Sequence, residues 1–208
     1  MAVVEKGAAV NLCTPGGEEL VKQLCEILGV DEGEGITKKI AVVHCAGDCD
    51  AKVVKMEYSG IPTCASAVLH HGGQNACAFG CLGFGDCLSQ CPSDAICVEK
   101  DLARISPRLC SGCGLCVKAC PNNIISIEKD PLRLAVMCNN TEKAAVLKDK
   151  CAVGCIGCMK CVKECPVEAI AVKDFLASID YSKCIGCKKC IPICPKNCIA
   201  DFTTAVMM

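Results

Sequence analysis

Along the first part of the chain, apolar positions recur with the periods of secondary structure. In GGEELVKQLCEILG, Leu20, Val21, Leu24 and Leu28 share one face of a short amphipathic helix, and Gly29 stands where a helix ends. TKKIAVVHC and KVVKMEYSG read as strands, and PTCASAVLHHGG as a helix stopped at Gly72-Gly73. No apolar run approaches the ~20 residues that a membrane span needs.

Further along, repetition is the informative pattern. The string Cys-Pro-x-x-x-Ile begins at Cys91, Cys120, Cys165 and Cys194. Cys91 and Cys120 are 29 residues apart, as are Cys165 and Cys194, and each member of the second pair follows its counterpart by 74 residues. Two similar units therefore run in tandem. The same offset lays Cys184, Cys187 and Cys190 on Cys110, Cys113 and Cys116, and Cys155 and Cys161 on Cys81 and Cys87. It also lays Cys151 on Cys77 and Cys138 on Cys64. Among the motif cysteines, Cys158 has no thiol counterpart; its match is Phe84.

Composition says what the repeats hold. Cysteine supplies 25 of 208 residues, roughly 12%, a level that marks a disulfide scaffold or a metal-rich chain. MAVVEKGAAVNLC has neither an apolar h-region nor a cleavage site, so thiolate ligands in a reducing cytosol are expected rather than disulfides. Without cysteine the hydrophobic fraction of 52% falls to about 40%, and the chain has no Trp, two Tyr and four Phe. Metal clusters are expected to supply part of the folding free energy. A net charge of −1 argues against broad nucleic-acid binding.

Three of the four motifs contain C-x2-C-x2-C-x3-C-P: Cys110 to Pro121, Cys155 to Pro166 and Cys184 to Pro195. A tight loop places the first three sulfurs around one corner of an iron–sulfur cluster, and the fourth cysteine, at a chain reversal, points to the other cluster. Gly112, Gly114, Gly157 and Gly186 let backbone N–H groups approach the sulfurs. Four-thiolate zinc sites use two separated C-x2-C pairs and fit this spacing poorly. CAVGCIGC also has the spacing of radical SAM enzymes, but the chain lacks the length and the βα repeats of their barrel.

From about Cys77 to Asp201 the chain resembles bacterial two-cluster ferredoxins. The resemblance implies cross-liganding. Cys155, Cys158 and Cys161 join Cys194, and Cys184, Cys187 and Cys190 join Cys165. In the first unit, Cys110, Cys113 and Cys116 join Cys91. The remaining cluster has Cys81, Cys87 and Cys120, and Cys77 is the thiol expected to complete it; the rival is a three-iron cluster. Four 4Fe-4S clusters are expected. Cys45, Cys49 and Cys64, with Cys77, are the alternative set for a fifth. Cys25, Cys97 and Cys198 suit core packing and Cys151 is spare or structural; with a fifth cluster formed, Cys138 and Cys151 would be partial relics or contacts in the second unit. His44, His70 and His71 are expected at the surface or at helix ends rather than on metal.

AVVHCAGDCDAK, YSGIPTCASA, GGQNACAFGCLGFGDCLSQCP and CAVGCIGCMKCVKECP together resemble the B subunit of the Rnf complex, a membrane-bound ferredoxin:NAD⁺ oxidoreductase. Members of that family begin with a membrane helix and a small cluster domain, of which only Cys13 in CTPGG has a match, so the chain looks like the soluble remainder of a longer subunit. The expected fold is α+β, a small N-terminal α/β segment followed by two tandem ferredoxin-like two-cluster units. The boundaries are 1–35 (a remnant of the N-terminal iron–sulfur domain), 36–76 (a small α/β cysteine-containing segment), 77–132 (the first unit) and 133–208 (the second).

The resemblance implies one-electron relay to or from soluble ferredoxin, with other subunits of a membrane redox complex as partners. The chain would then sit on the cytoplasmic side, peripheral to the membrane and without a span of its own. No substrate-converting site is expected, because neither G-x-G-x-x-G nor G-x-x-x-x-G-K-[ST] occurs. Lys183, Lys188, Lys189 and Lys196 form a candidate basic rim for an acidic partner, with a solvated lysine face as the plainer reading. The alternatives are a free-standing polyferredoxin, or the electron-input subunit of a hydrogenase or a bifurcating oxidoreductase.

Overall fold

A computed structural model describes residues 17–29, 39–129 and 134–201. Helix α1, Gly17–Leu28, has the expected amphipathic face: Val21 and Cys25 are buried, Leu24 and Leu28 pack beside them, and Gly29 follows at φ +63°. Cys13 lies outside the described residues.

Two runs of similar elements follow. The first comprises β1 (Lys39–Val43), α2 (Cys64–Leu69), α3 (Asp86–Ser89), β2 (Ile96–Glu99), β3 (Leu102–Ile105), α4 (Leu115–Ala119) and β4 (Ile125–Lys129). The second comprises β5 (Leu134–Val136), α5 (Ala144–Leu147), α6 (Lys160–Glu164), β6 (Ile170–Lys173), β7 (Leu176–Ile179) and β8 (Ile199–Asp201). The content is mixed helix and strand, with antiparallel pairs β1–β4, β2–β3, β5–β8 and β6–β7.

The repeat is visible in backbone angles as well as in cysteines. The hairpins β2–β3 and β6–β7 share one register, Ile96 opposite Ile105 and Ile170 opposite Ile179. Each turns through two residues of positive φ, Lys100-Asp101 and Asp174-Phe175, the turn that matches strand twist. Gly83 and Gly157 lie against these turns. A Cβ at Gly83 would meet the Asp101 backbone at 2.8 Å, and one at Gly157 the Phe175 backbone at 2.9 Å. Every Cys-Pro is followed two residues later by a left-handed residue: Asp94, Asn123, Glu168 and Asn197 have φ of 48°, 52°, 49° and 50°. Proline starts the turn, the left-handed residue completes it, and the next amide swings back to the cysteine. Ala95 N donates to Cys91 Sγ at 3.4 Å and Ala169 N to Cys165 Sγ at 3.3 Å.

The structure departs from the expected boundaries. The segment 36–76 does not stand apart, because its strand β1 pairs with β4 as β5 pairs with β8. KVVKMEYSG forms no strand. It makes only isolated bridges, Lys52 to Cys151 and Val54 to Asn75, because its backbone bonds are divided between residues 150–152 and 74–76. The constant 74-residue offset also fails upstream of Cys77. Val43 pairs with Ile125 as Val136 pairs with Ile199, and His44 N bonds to Ile124 O as Met137 N bonds to Cys198 O. Cys45, not Cys64, is therefore the counterpart of Cys138, and the first unit carries an insertion between its opening strand and its first ligand loop.

Each unit has its own core, with Ala41, Val43, Ile96, Leu102 and Ile125 in one and Leu134, Val136, Ile170 and Ile199 in the other. Between them, Ile40 and Val42 on the other face of β1 pack against Ala135 of β5. His44 crosses this seam, with Nδ1 2.8 Å from Val136 O and Nε2 2.7 Å from Ser126 Oγ.

Candidate iron–sulfur centres

Short loops ending in a left-handed residue position the ligand-loop thiols. Gly85, Gly114 and Met159 cap the N-termini of α3, α4 and α6 at φ 84°, 78° and 59°, and each next helix buries one cysteine: Cys87, Cys116 or Cys161. Lys188 takes the same angle, φ 60°, before the buried Cys190.

The sulfurs gather around hollow space. One cavity of about 290 Å³ is lined by Cys91, Cys110, Cys113 and Cys116. Another, of about 340 Å³, is lined by Cys155, Cys158, Cys161 and Cys194. Each takes three cysteines from one ligand loop and one from the Cys-Pro turn of the sister motif. Cys184, Cys187 and Cys190 form a further group, close enough for Cys184 and Cys187 to act electrostatically on Cys190. Among the described residues, no three cysteine, histidine or acidic side chains are grouped tightly enough to hold a single metal ion. Four thiols set back around a cavity suit a polynuclear cluster.

A cavity of about 390 Å³ contains Cys81, Cys87 and Cys120, and its fourth thiol is Cys64, not Cys77. The replacement is built by the insertion. The Asp86 carboxylate accepts from Cys64 N at 2.7 Å and from Ala65 N at 2.9 Å, capping the start of α2 and fixing Cys64 near Cys87. Phe84, where the repeat would place a ligand, instead meets the Tyr58 ring edge-on at 5.5 Å. Cys77 faces a different cavity, together with Cys45, Cys138 and Cys151. The set Cys45, Cys49, Cys64 and Cys77 is thereby split, and Cys49 is exposed beside Asp50.

As free thiols, several of the buried ligands resist ionisation. Burial pushes Cys87 up to about 12, with Cys81, Cys64 and Cys120 adding to it. Burial likewise raises Cys116 and Cys190 to about 11. Loading a metal therefore has to displace protons, and the cluster's positive iron supplies the compensation. Cys155 and Cys91 go the other way. The Cys198 thiol donates to Cys155 and lowers it, while Cys198 itself is pushed up; at Cys91, burial is outweighed by hydrogen bonds from Ser93 and Ala95. Cys198 is thus more than packing: it is buried, lines the Cys155 cavity and stands 3.5 Å from Cys194 Sγ. Lys52, also buried, donates to Cys81 O at 3.0 Å and Asp101 O at 2.8 Å. The basic rim is partly neutralised, since Lys188 pairs with Asp201 at 2.6 Å and Lys183 with Asp180 at 3.8 Å.

Comparison with known proteins agrees with this chemistry. A family model described as a 4Fe-4S dicluster domain matches residues 109–169 and 154–198. The B subunit of the Na(+)-translocating ferredoxin:NAD(+) oxidoreductase complex of Acetobacterium woodii is 38% identical over 199 residues, covering 95% of this chain and 60% of that protein. The B subunit of the proton-translocating ferredoxin:NAD(+) oxidoreductase complex of Clostridium ljungdahlii is 41% identical over 181 residues, covering 86% of this chain and 63% of that protein. The B subunit of the ion-translocating oxidoreductase complex of Methanosarcina acetivorans is 39% identical over 183 residues, covering 88% of this chain and 69% of that protein. The chain thus spans less than two thirds of the first two relatives. No described helix is long and apolar enough to cross a membrane.

Proposed function

The chain belongs to the B-subunit family of ion-translocating oxidoreductase complexes, and from that premise we propose that it relays single electrons through 4Fe-4S clusters between soluble ferredoxin and a membrane redox chain. The observation that carries the reading is the cross-lining of the cavities, in which three thiols of one loop meet one thiol of the sister motif's Cys-Pro turn. The ligand sets are Cys91, Cys110, Cys113 and Cys116; Cys155, Cys158, Cys161 and Cys194; Cys165, Cys184, Cys187 and Cys190; and Cys64, Cys81, Cys87 and Cys120.

When bound, a cubane supplies a low-potential one-electron couple. This chain's residues hold it and tune it. Backbone amides of Ala95 and Ala169 donate to Cys91 and Cys165, Ala103 N donates to Cys81 Sγ at 3.5 Å and Ala41 N to Cys110 Sγ at 3.4 Å, and such bonds stabilise the more negative reduced state. In each ligand loop a cysteine, Cys87, Cys116, Cys161 or Cys190, is buried, while Cys113, Cys158 and Cys187 are exposed. The chain docks on the other subunits at the cytoplasmic face, and the exposed Lys189 near the last ligand loop, with Lys183, meets the acidic ferredoxin. NAD is reduced elsewhere in the complex.

Anaerobic stopped-flow mixing of the cluster-loaded chain with reduced two-cluster ferredoxin tests this. Bleaching of the chain's visible absorption, slowed by salt and by Lys189→Glu, is the expected result. No electron transfer at any salt concentration would defeat the relay; transfer indifferent to salt and to that substitution would defeat the docking surface alone.

A further inference from the structure

We propose that Cys45, Cys77, Cys138 and Cys151 hold a fifth 4Fe-4S cluster at the seam between the two units, where it bridges their electron paths. The four thiols line one cavity of about 280 Å³, close in size to the cavity of about 290 Å³ lined by a full ligand loop and its partner. They come from no complete C-x2-C-x2-C loop. The tandem repeat relates them in pairs. Cys45 and Cys138 each follow the opening strand of a unit by two residues, and Cys77 and Cys151 each precede the first ligand cysteine, Cys81 or Cys155, by four.

The pair Cys45 and Cys138 receives the same bond. Cys81 N donates to Cys45 Sγ at 3.5 Å, and Cys155 N donates to Cys138 Sγ at 3.3 Å. Cys77 Sγ accepts from Asn140 Nδ2 at 3.4 Å, and Asn140 is itself only 1% exposed. Amide donors aimed at sulfur are the arrangement seen at Cys91 and Cys165, and they suit a thiolate bound to iron. Glycines leave room on the wall: a Cβ at Gly80 would lie 3.7 Å from Cys77 Sγ and 3.8 Å from Cys45 Sγ, and one at Gly47 3.4 Å from Cys151 Sγ. All four cysteines are free thiols in the structure. Their grouping around a cavity, not around a point, favours a cubane over one zinc ion.

The position gives the site its role. Gly80 lines both this cavity and the cavity of Cys64, Cys81, Cys87 and Cys120. Gly154 lines it on the other side, next to Cys155. The amide of a ligand to each unit's nearest cluster therefore bonds a sulfur of the seam cluster. Held by Cys45, Cys77, Cys138 and Cys151, a cluster here would supply a one-electron couple between the sites lined by Cys64, Cys81, Cys87 and Cys120 and by Cys155, Cys158, Cys161 and Cys194.

The inference rests on the proposed reading that the ferredoxin motifs carry cubanes, and the test separates the two. Iron, acid-labile sulfide and zinc are measured per chain after anaerobic reconstitution of the full chain and of a Cys138→Ala/Cys151→Ala variant, neither residue being in a ferredoxin ligand loop. The expected result is about twenty irons and about twenty sulfides in the unaltered chain and about sixteen of each in the variant. About sixteen in the unaltered chain, about twenty in the variant, or one tightly held zinc with about sixteen irons would overturn the fifth cluster and leave the relay standing. Absence of labile sulfide from the folded unaltered chain would overturn both. Should the double variant fail to fold, Asn140→Leu serves as a second probe in the loaded chain. It is expected to shift the midpoint potential of one cluster only, and an unchanged set of potentials contradicts the assignment.

Discussion

Replacing Cys64 by alanine separates the arrangement seen here from the one expected on sequence spacing. The substitution leaves the first cavity with Cys81, Cys87 and Cys120, three thiols where a cubane takes four. Cys77 cannot step in, because its sulfur is held by Asn140 on another cavity. One iron therefore has no protein ligand, and the expected product is a three-iron cluster at that site. The loss is about one iron of the four at that site with no loss of sulfide, too small for a bulk assay to carry alone. Electron paramagnetic resonance magnifies it: oxidised four-iron cubanes are silent, whereas an oxidised three-iron cluster carries an unpaired spin. Double integration of the spectrum of Cys64→Ala protein oxidised anaerobically with thionine should give about one spin per chain, against about none for the unaltered chain. Asp86→Asn, which weakens the cap that fixes Cys64, should give a fraction of that signal. A silent spectrum with iron and sulfide undiminished would refute the assignment of Cys64.

Three further outcomes follow from the backbone and from the buried charge. Gly157→Ala brings a Cβ to 2.9 Å from the Phe175 backbone at φ +62°, whereas Gly186→Ala, at φ +68°, meets nothing within 4 Å. The first should destabilise by about 3 kcal/mol and the second by about 1 kcal/mol, read as the midpoint of thermal bleaching. Glu168→Asn, at φ +49° where the sister turns at positions 123 and 197 already use asparagine, should stabilise by about 0.5–1 kcal/mol in the same assay. Lys52→Met removes the buried ammonium bonded to Cys81 O and should lower the potential of the adjacent cluster by on the order of tens of millivolts in a redox titration.

Much of the site was legible because its signals are local. The C-x2-C-x2-C loops, the Cys-Pro turns and the hairpins all recur at one offset, and the structure repeats their angles as the sequence repeats their letters. The difficulties arose where spacing is not conserved. The insertion that follows β1 shifts Cys45 relative to the repeat, so the constant offset paired Cys138 with Cys64. A comparison of the strand endings AVVHC and LAVMC, instead of cysteine numbers, carries the correct pairing. Cys64 could not be placed by spacing at all, since a carboxylate twenty-two residues away sets its position. In the sequence Cys198 reads as filling, because its counterparts are Ala95, Ile124 and Ala169; only the three-dimensional approach to Cys155 and Cys194 shows its effect on the ligands. KVVKMEYSG has strand composition, but its backbone bonds are split between two neighbours, residues 74–76 bonding Val53, Lys55 and Met56 and Lys150 bonding Val53.

Acid-labile sulfide per chain in anaerobically purified, compactly folded protein tests the central claim most directly. Thiols standing around hollow cavities require inorganic cores to complete the interior, so sulfide should accompany every folded molecule, at about sixteen or more per chain, and its removal should cost the compact state. A compact chain free of sulfide would contradict the account.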